Sequence, residues 1–194
     1  MPNGDVPVCL HCHSSLSDGA FSPEQLAELL ADRGARYAAL TDHDTLAGLE
    51  PFGQALARRG IASIAGVEMS VASSRGELHL LAYGFDPDDP GLSALLEASR
   101  RHAEPGMQGL VDSLKRLGAR AEAPPAGLPD PGGAIRAVHA AGGAVFLAHP
   151  LSYSLGGEAL ESAVRELAAG GMGKGRIART LGIGVSVAQR ILAR

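Results

Sequence analysis

Leu10-His11-Cys12-His13-Ser14-Ser15-Leu16-Ser17-Asp18-Gly19 closes a short apolar run that begins at Val6 and opens into a polar loop. Its reading decides the fold. In an extended strand, residues two apart share a face, so His11 and His13 present their imidazoles together while Cys12 points away. Outward from this stretch, Ser22-Pro23-Glu24-Gln25 combines an N-cap, a first-turn proline and a capping-box glutamine. Leu26, Leu29 and Leu30 give the helix that follows its apolar stripe. Tyr37–Thr41 predicts a second strand, and Thr45 is expected to cap a second helix running to Arg59. Ile61–Val67 and Leu78–Phe85 read as further strands on either side of the turn Ser73-Ser74-Arg75-Gly76. Leu92–Leu117 reads as helical with a kink at Pro105-Gly106, and Ala119–Gly133 as a loop. Ala134–Ala141 reads as a helix and Ala144–Ala148 as a buried strand ending at His149-Pro150. Strands alternating with helices argue for an α/β fold with a largely parallel sheet.

The 194 residues are 45% hydrophobic, which excludes a disordered chain, and 4% aromatic with no Trp, so aliphatic side chains must build the core. No run approaches the roughly 18 apolar residues of a membrane span, and Met1–Val8 does not read as a signal peptide. Two cysteines cannot make a disulfide framework, and the expected setting is cytoplasmic, without membrane contact. Cys9-Leu10-His11-Cys12 has Cys-x-x-Cys spacing. A zinc or redox pair stands there against simple packing as small apolar residues. The net charge is −4, yet residues 165–194 carry Lys and Arg against Glu166 as their one acid, so an acidic body bears a basic tail.

Histidines and carboxylates share one feature of position. His11 and His13 end the first predicted strand, Asp18 follows in the loop, and His43 lies just past the second strand. Glu68 ends the third, His79 lies in the fourth, and His149 closes the last. In parallel α/β folds such strand ends converge on one mouth, where ligands gather. Neutral imidazoles and carboxylates brought together there suit divalent cations.

The same motifs resemble the PHP (polymerase and histidinol phosphatase) family. They are Leu10–Gly19, Ala39-Leu40-Thr41-Asp42-His43-Asp44-Thr45, Gly66-Val67-Glu68-Met69-Ser70, Glu77–Gly84 and Ala148-His149-Pro150, in the family's order. The resemblance implies a distorted (β/α)7 barrel over residues 1–158 that holds two or three divalent ions (Mn, Zn or Fe) and hydrolyses a small phosphorylated substrate. By motif, His11, His13 and Glu68 hold the first ion, Asp18 and His43 the second, and Glu68, His79 and His149 the third. A metal-bound hydroxide is then the nucleophile, and no protein nucleophile is needed. Arg100 and Arg101 are candidates to hold the phosphate, against the plainer reading of a solvated helix face. The family's closing Asp-x-His has no counterpart here, since neither residue type follows His149. The barrel is thus expected to be truncated at its C-terminal strands.

Residues 159–194 replace those strands with a short all-helical tail. Gly171–Leu192 resembles the helix-turn-helix of serine recombinases, with helices at Ala159–Ala169, Lys174–Leu181 and Val185–Ala193 and a turn at Gly182. In that arrangement Ser186, Gln189 and Arg190 face a DNA groove while Lys174, Arg176 and Arg179 approach phosphates. Against DNA binding stand a scaffold role, in which the helices cap an incomplete barrel, and a fusion or frameshift of unrelated sequence. Gly170–Gly175 is not a P-loop, because Gly175 follows Lys174 where Ser or Thr is needed. The alternative to an active phosphoesterase is thus an impaired relative with a DNA-binding tail. Oligomeric state stays open.

Overall fold

The computed structural model describes residues 7–73, 76–101, 127–149, 158–180 and 185–193. In chain order the elements are β1 (Val8–Cys9), α1 (Pro23–Asp32), β2 (Tyr37–Ala38), α2 (Leu49–Arg58), β3 (Ala62–Ser63), β4 (Gly66–Ser73), β5 (Gly76–Tyr83) and α3 (Pro90–Arg100). Then come α4 (Pro131–Ala140), β6 (Ala144–Leu147), α5 (Glu158–Ala169), α6 (Lys174–Thr180) and α7 (Val185–Leu192). The kink at Pro105-Gly106, most of the loop after Ala119 and the turn at Gly182 lie outside the described residues.

Helix starts follow local chemistry. Ser22 accepts from the Gln25 N–H at 3.3 Å while the Gln25 side chain accepts from the Ser22 N–H at 3.0 Å, completing the capping box of α1. Asp89 and Asp130 cap α3 and α4 through the N–H groups of Leu92 and Gly133, each ahead of a first-turn proline. The second helix departs from expectation. Thr45 Oγ1 accepts from the Ala47 N–H at 3.3 Å, closing a local turn, and α2 begins only at Leu49. Pro51, which has no N–H to give, then falls in the first turn, where none is required.

The strands form two three-stranded sheets. β1, β2 and β3 pair in parallel, with Tyr37 opposite both Val8 and Ala62. β4, β5 and β6 pair antiparallel, with Gly66 opposite Tyr83 and Leu80 opposite Leu147. A single parallel bridge, His43 to Glu68, links the two layers. The expected largely parallel sheet is therefore only half present. Two residues separate β4 from β5, enough for a hairpin but far short of a parallel crossover. No closed barrel is found among the described residues.

Leu26, Leu30, Leu40, Phe52 and Leu56 form the core between α1, α2 and the parallel sheet. A larger core joins Val67, Met69, Val71, Leu80 and Val145 of the antiparallel sheet to Ile135 and Val138 of α4. It also takes in Val164 and Leu167 of α5, Ile177 and Ala178 of α6, and Ala188 and Ile191 of α7. Gly170 permits this closeness, since a Cβ there would stand 2.8 Å from Cδ1 of Ile135. None of the described helices is long and apolar enough to cross a membrane.

Candidate metal centre

Glu68 is the hub. Its place on β4, flanked by Val67 and Met69 in a fully buried row, puts a carboxylate where no water reaches it. Such a group must be paired, and imidazoles from four segments converge on it. His11 Nε2 and His13 Nε2 stand 2.8 and 3.0 Å from Glu68 Oε2, and His43 Nε2 3.7 Å from it. His149 Nε2 and His79 Nδ1 stand 3.0 and 3.2 Å from Oε1. On the rim, Asp18 faces His13 Nδ1 at 3.1 Å and His43 Nε2 at 3.8 Å.

All seven residues singled out as ligands thus meet in one place. They do so as three overlapping groups, His11–Glu68–His149, His13–Asp18–His43 and His43–Glu68–His79, each with ligand atoms within 4.8 Å of one another. The donor set fits divalent cations. His11 Nε2 and His13 Nε2 face each other at 3.0 Å, a pairing that one proton can satisfy only in one direction and that a shared cation satisfies from both.

The approach to the cluster differs from a plain strand. β1 ends at Cys9, so His11 and His13 sit on the segment beyond it, their rings 5.1 Å apart. There the Cys9 thiol donates to the His11 carbonyl at 4.0 Å and the Cys12 thiol to the Ala39 carbonyl at 3.3 Å. His149, two residues past the end of β6, has a positive φ of 44°, a left-handed conformation that a non-glycine residue adopts at a cost. Tyr83 on β5 donates its hydroxyl to the Leu10 carbonyl at 2.5 Å, tying the His11 segment to the antiparallel sheet.

Glu77 belongs to the site and was missed in the sequence. Buried on β5 two residues before His79, it stands 3.1 Å from His79 Nε2 while Nδ1 faces Glu68. A carboxylate on the outer nitrogen fixes the tautomer and raises the basicity of the inner one. The alternation rule that pairs His11 with His13 pairs Glu77 with His79 as well.

Arg100 and Arg101 close α3 on its exposed end, and Arg100 pairs with Glu97 at 3.4 Å. In the tail, Lys174, Gln189 and Arg190 are exposed and Arg176 is half-buried. Arg179 lies in α6 and Ser186 in α7, with side chains outside the described set.

Electrostatics follow the geometry. Burial pushes the Glu68 carboxyl up, but the surrounding imidazoles outweigh it and hold the group below the ordinary carboxylate range. Burial also lowers His13 and His79, yet their carboxylate partners prevail and raise both from 6.5 to about 9. For His43 burial wins, and its pKa falls to about 4. Without cations, His13 and His79 therefore contribute stability that is complete below pH 6.5 and lost as the pH climbs through about 9. His43 contributes above pH 6.5 and loses its share as the pH falls through about 4. The chelator-treated protein is expected to melt at its highest temperature near pH 6.5 and lower at pH 9. The cation-loaded protein, whose imidazoles must be unprotonated, is expected to melt higher at pH 9 than at 6.5. Calorimetric scans of both forms at the two pH values check this, and parallel trends would contradict it.

A family model described as the PHP domain matches residues 10–118. The chain is 40% identical over 116 residues to the 3',5'-nucleoside bisphosphate phosphatase of Chromobacterium violaceum, covering 60% of this chain and 38% of that protein. It is 29% identical over 196 residues to a 5'-3' exoribonuclease of Haemophilus influenzae, covering 77% and 70%. The chain thus spans little more than a third of the first relative's length. Among solved structures, an amidohydrolase from Chromobacterium violaceum with bound sulfate superposes at a TM-score of 0.66 and 28% identity, covering 84% of this chain and 74% of that one. A protein of Bifidobacterium adolescentis shares the fold at a TM-score of 0.66 and 22% identity, covering 95% and 84%.

Proposed function

The chain belongs to the PHP domain family, and on that premise we propose that it is a metal-dependent phosphoesterase acting on a small phosphate ester. The observation that carries this reading is the convergence of five imidazoles and Asp18 around the buried Glu68. His11, His13, Asp18, His43, Glu68, His79 and His149 are the residues proposed to hold two or three divalent cations. Bound there, the cations supply Lewis acidity to phosphate oxygens and acidify water at neutral pH. The chain's own contribution is to fix charge and orientation. Glu68 stays ionised and bridges the ligand groups, Glu77 locks the His79 ring, and Asp18 draws His13 and His43 together at the rim. The phosphatase named among the relatives acts on a nucleoside bisphosphate, which makes nucleotide phosphates the first substrates to try. Mn, Zn and Fe all suit imidazole and carboxylate.

The test is cation content per chain together with release of phosphate from a panel of nucleotide and sugar phosphates. Two or more cations with turnover are expected, lost on chelation and restored by refilling. A purified chain that takes up no cation under any loading condition would falsify the proposal.

For the fold we propose a barrel of the PHP kind shortened at its C-terminal end, with α5 to α7 as a scaffold. The burial of Val164, Leu167, Ile177, Ala188 and Ile191 in the sheet's own core supports the scaffold. A DNA role through Lys174, Arg176, Arg179, Ser186, Gln189 and Arg190 is less favoured, since the helices that carry them pack into the sheet's own core.

A further inference from the structure

Asp42 precedes a ligand in the chain, is 1% exposed, and belongs to none of the three ligand groups. Both its carboxylate oxygens are engaged elsewhere. Oδ1 accepts from the Ser14 N–H at 2.6 Å and from the Ser17 hydroxyl at 2.7 Å, and Oδ2 accepts from the Ser14 hydroxyl at 2.6 Å. Ser14 is itself fully buried, so no water replaces these bonds if they are lost.

The segment they grip is the turn that presents Asp18. Gly19 and Ser17 both donate their N–H to the Ser14 carbonyl, at 2.8 and 3.1 Å, winding the turn tightly. Gly19 closes it where a Cβ would stand 2.1 Å from the His13 carbonyl oxygen. The Asp18 carboxylate then stands 3.1 Å from His13 and 3.8 Å from His43. Asp42 therefore anchors, from the buried side, the one ligand of the cluster that comes from a surface turn. The other anionic ligand, Glu68, is held by its own strand and needs no such anchor.

We propose that Asp42 is a positioning residue that sets the His13–Asp18–His43 cation position selectively, leaving the His11–Glu68–His149 position intact. This rests on the metal-centre reading above. A charged acceptor taking three hydrogen bonds is the strong case of such bonding, and outer partners of this sort are commonly worth about 10–100-fold in metal affinity.

Stripping the full chain and titrating it with Mn²⁺ and with Zn²⁺, by calorimetry and by metal analysis after desalting, tests this without reference to turnover. Wild type is expected to show at least two classes of site. Asp42→Ala should weaken one class by about 10–100-fold and leave another within twofold. Asp42→Asn, which keeps the shape and one acceptor, should recover part of the loss. Ser14→Ala removes one of the three bonds without touching Asp18, should shift the same class in the same direction by less, and decides the matter if Asp42→Ala fails to fold. Wild-type affinities in folded Asp42→Ala, or equal weakening of every class, overturn this inference alone. A wild-type chain that binds no cation overturns the metal-centre reading and this inference with it.

Discussion

Glu68→Ala is expected to leave a folded chain that retains fewer cations than wild type after desalting and hydrolyses phosphate esters on the order of 10³-fold more slowly. Glu68 is shared by two of the three ligand groups, as is His43, and it stands within 3.2 Å of four imidazoles. Losing any single imidazole leaves the other donors converging on a negative centre. Losing Glu68 leaves neutral imidazoles in two of the three groups, with Asp18 at the rim as the remaining anionic ligand. Glu68→Gln separates charge from shape, because the amide fills the same volume and still accepts a hydrogen bond. It should lower cation content nearly as far as alanine while keeping a melting temperature closer to that of the cation-free wild type. Metal analysis and phosphate release on both variants check the expectation. Retention of two cations by Glu68→Gln would show that the hub acts through packing and not through its charge.

The ligand cluster was legible because most of its members lie in a strand or just past one, and strand ends gather at one mouth whatever the details of the sheet. His11, His13, Asp18, His43, Glu68, His79 and His149 meet although two assumptions about their strands were wrong. β1 stops at Cys9, before its histidines, and β4 to β6 run antiparallel. Direction is not written in the apolar pattern of a strand buried on both faces; it resides in the length of the connection. The stretch Ser73-Ser74-Arg75-Gly76 between the two strands is too short for a parallel crossover, and that length, not the strand pattern, carries their antiparallel direction. Helix starts at Ser22, Asp89 and Asp130 needed only local capping chemistry. The start of α2 did not yield to it, because Asp44 takes a positive φ of 51° and its N–H bonds the Glu68 carbonyl at 2.9 Å, a constraint imported from another strand. Asp42 was equally hidden. Its partners Ser14 and Ser17 lie more than twenty residues away, and nothing periodic connects them.

Ile177→Asp is expected to unfold the protein as a whole, not the tail alone, and to abolish cation binding at a centre to which Ile177 does not belong. The reason is the shared core. Ile177 is fully buried in α6 and belongs to the same cluster as Val67, Val71 and Val145, in the sheet that carries Glu68 and His79. A carboxylate placed there enters an apolar cluster shut off from water, so the charge can be accommodated only by opening the interface. The milder Ile177→Ala should cost about 2–5 kcal/mol, a fall of roughly 5–15 °C in Tm, with cation binding preserved at low temperature. Arg190→Ala, on the exposed face of α7, should leave both stability and cation binding unchanged. If the tail were an independent DNA-directed module, the pattern would invert: Ile177→Asp would melt the tail and spare the metal centre, and Arg190→Ala would weaken a salt-sensitive association with DNA. Melting curves read in parallel with cation titration distinguish the two, since a scaffold couples the transitions and a tethered module separates them.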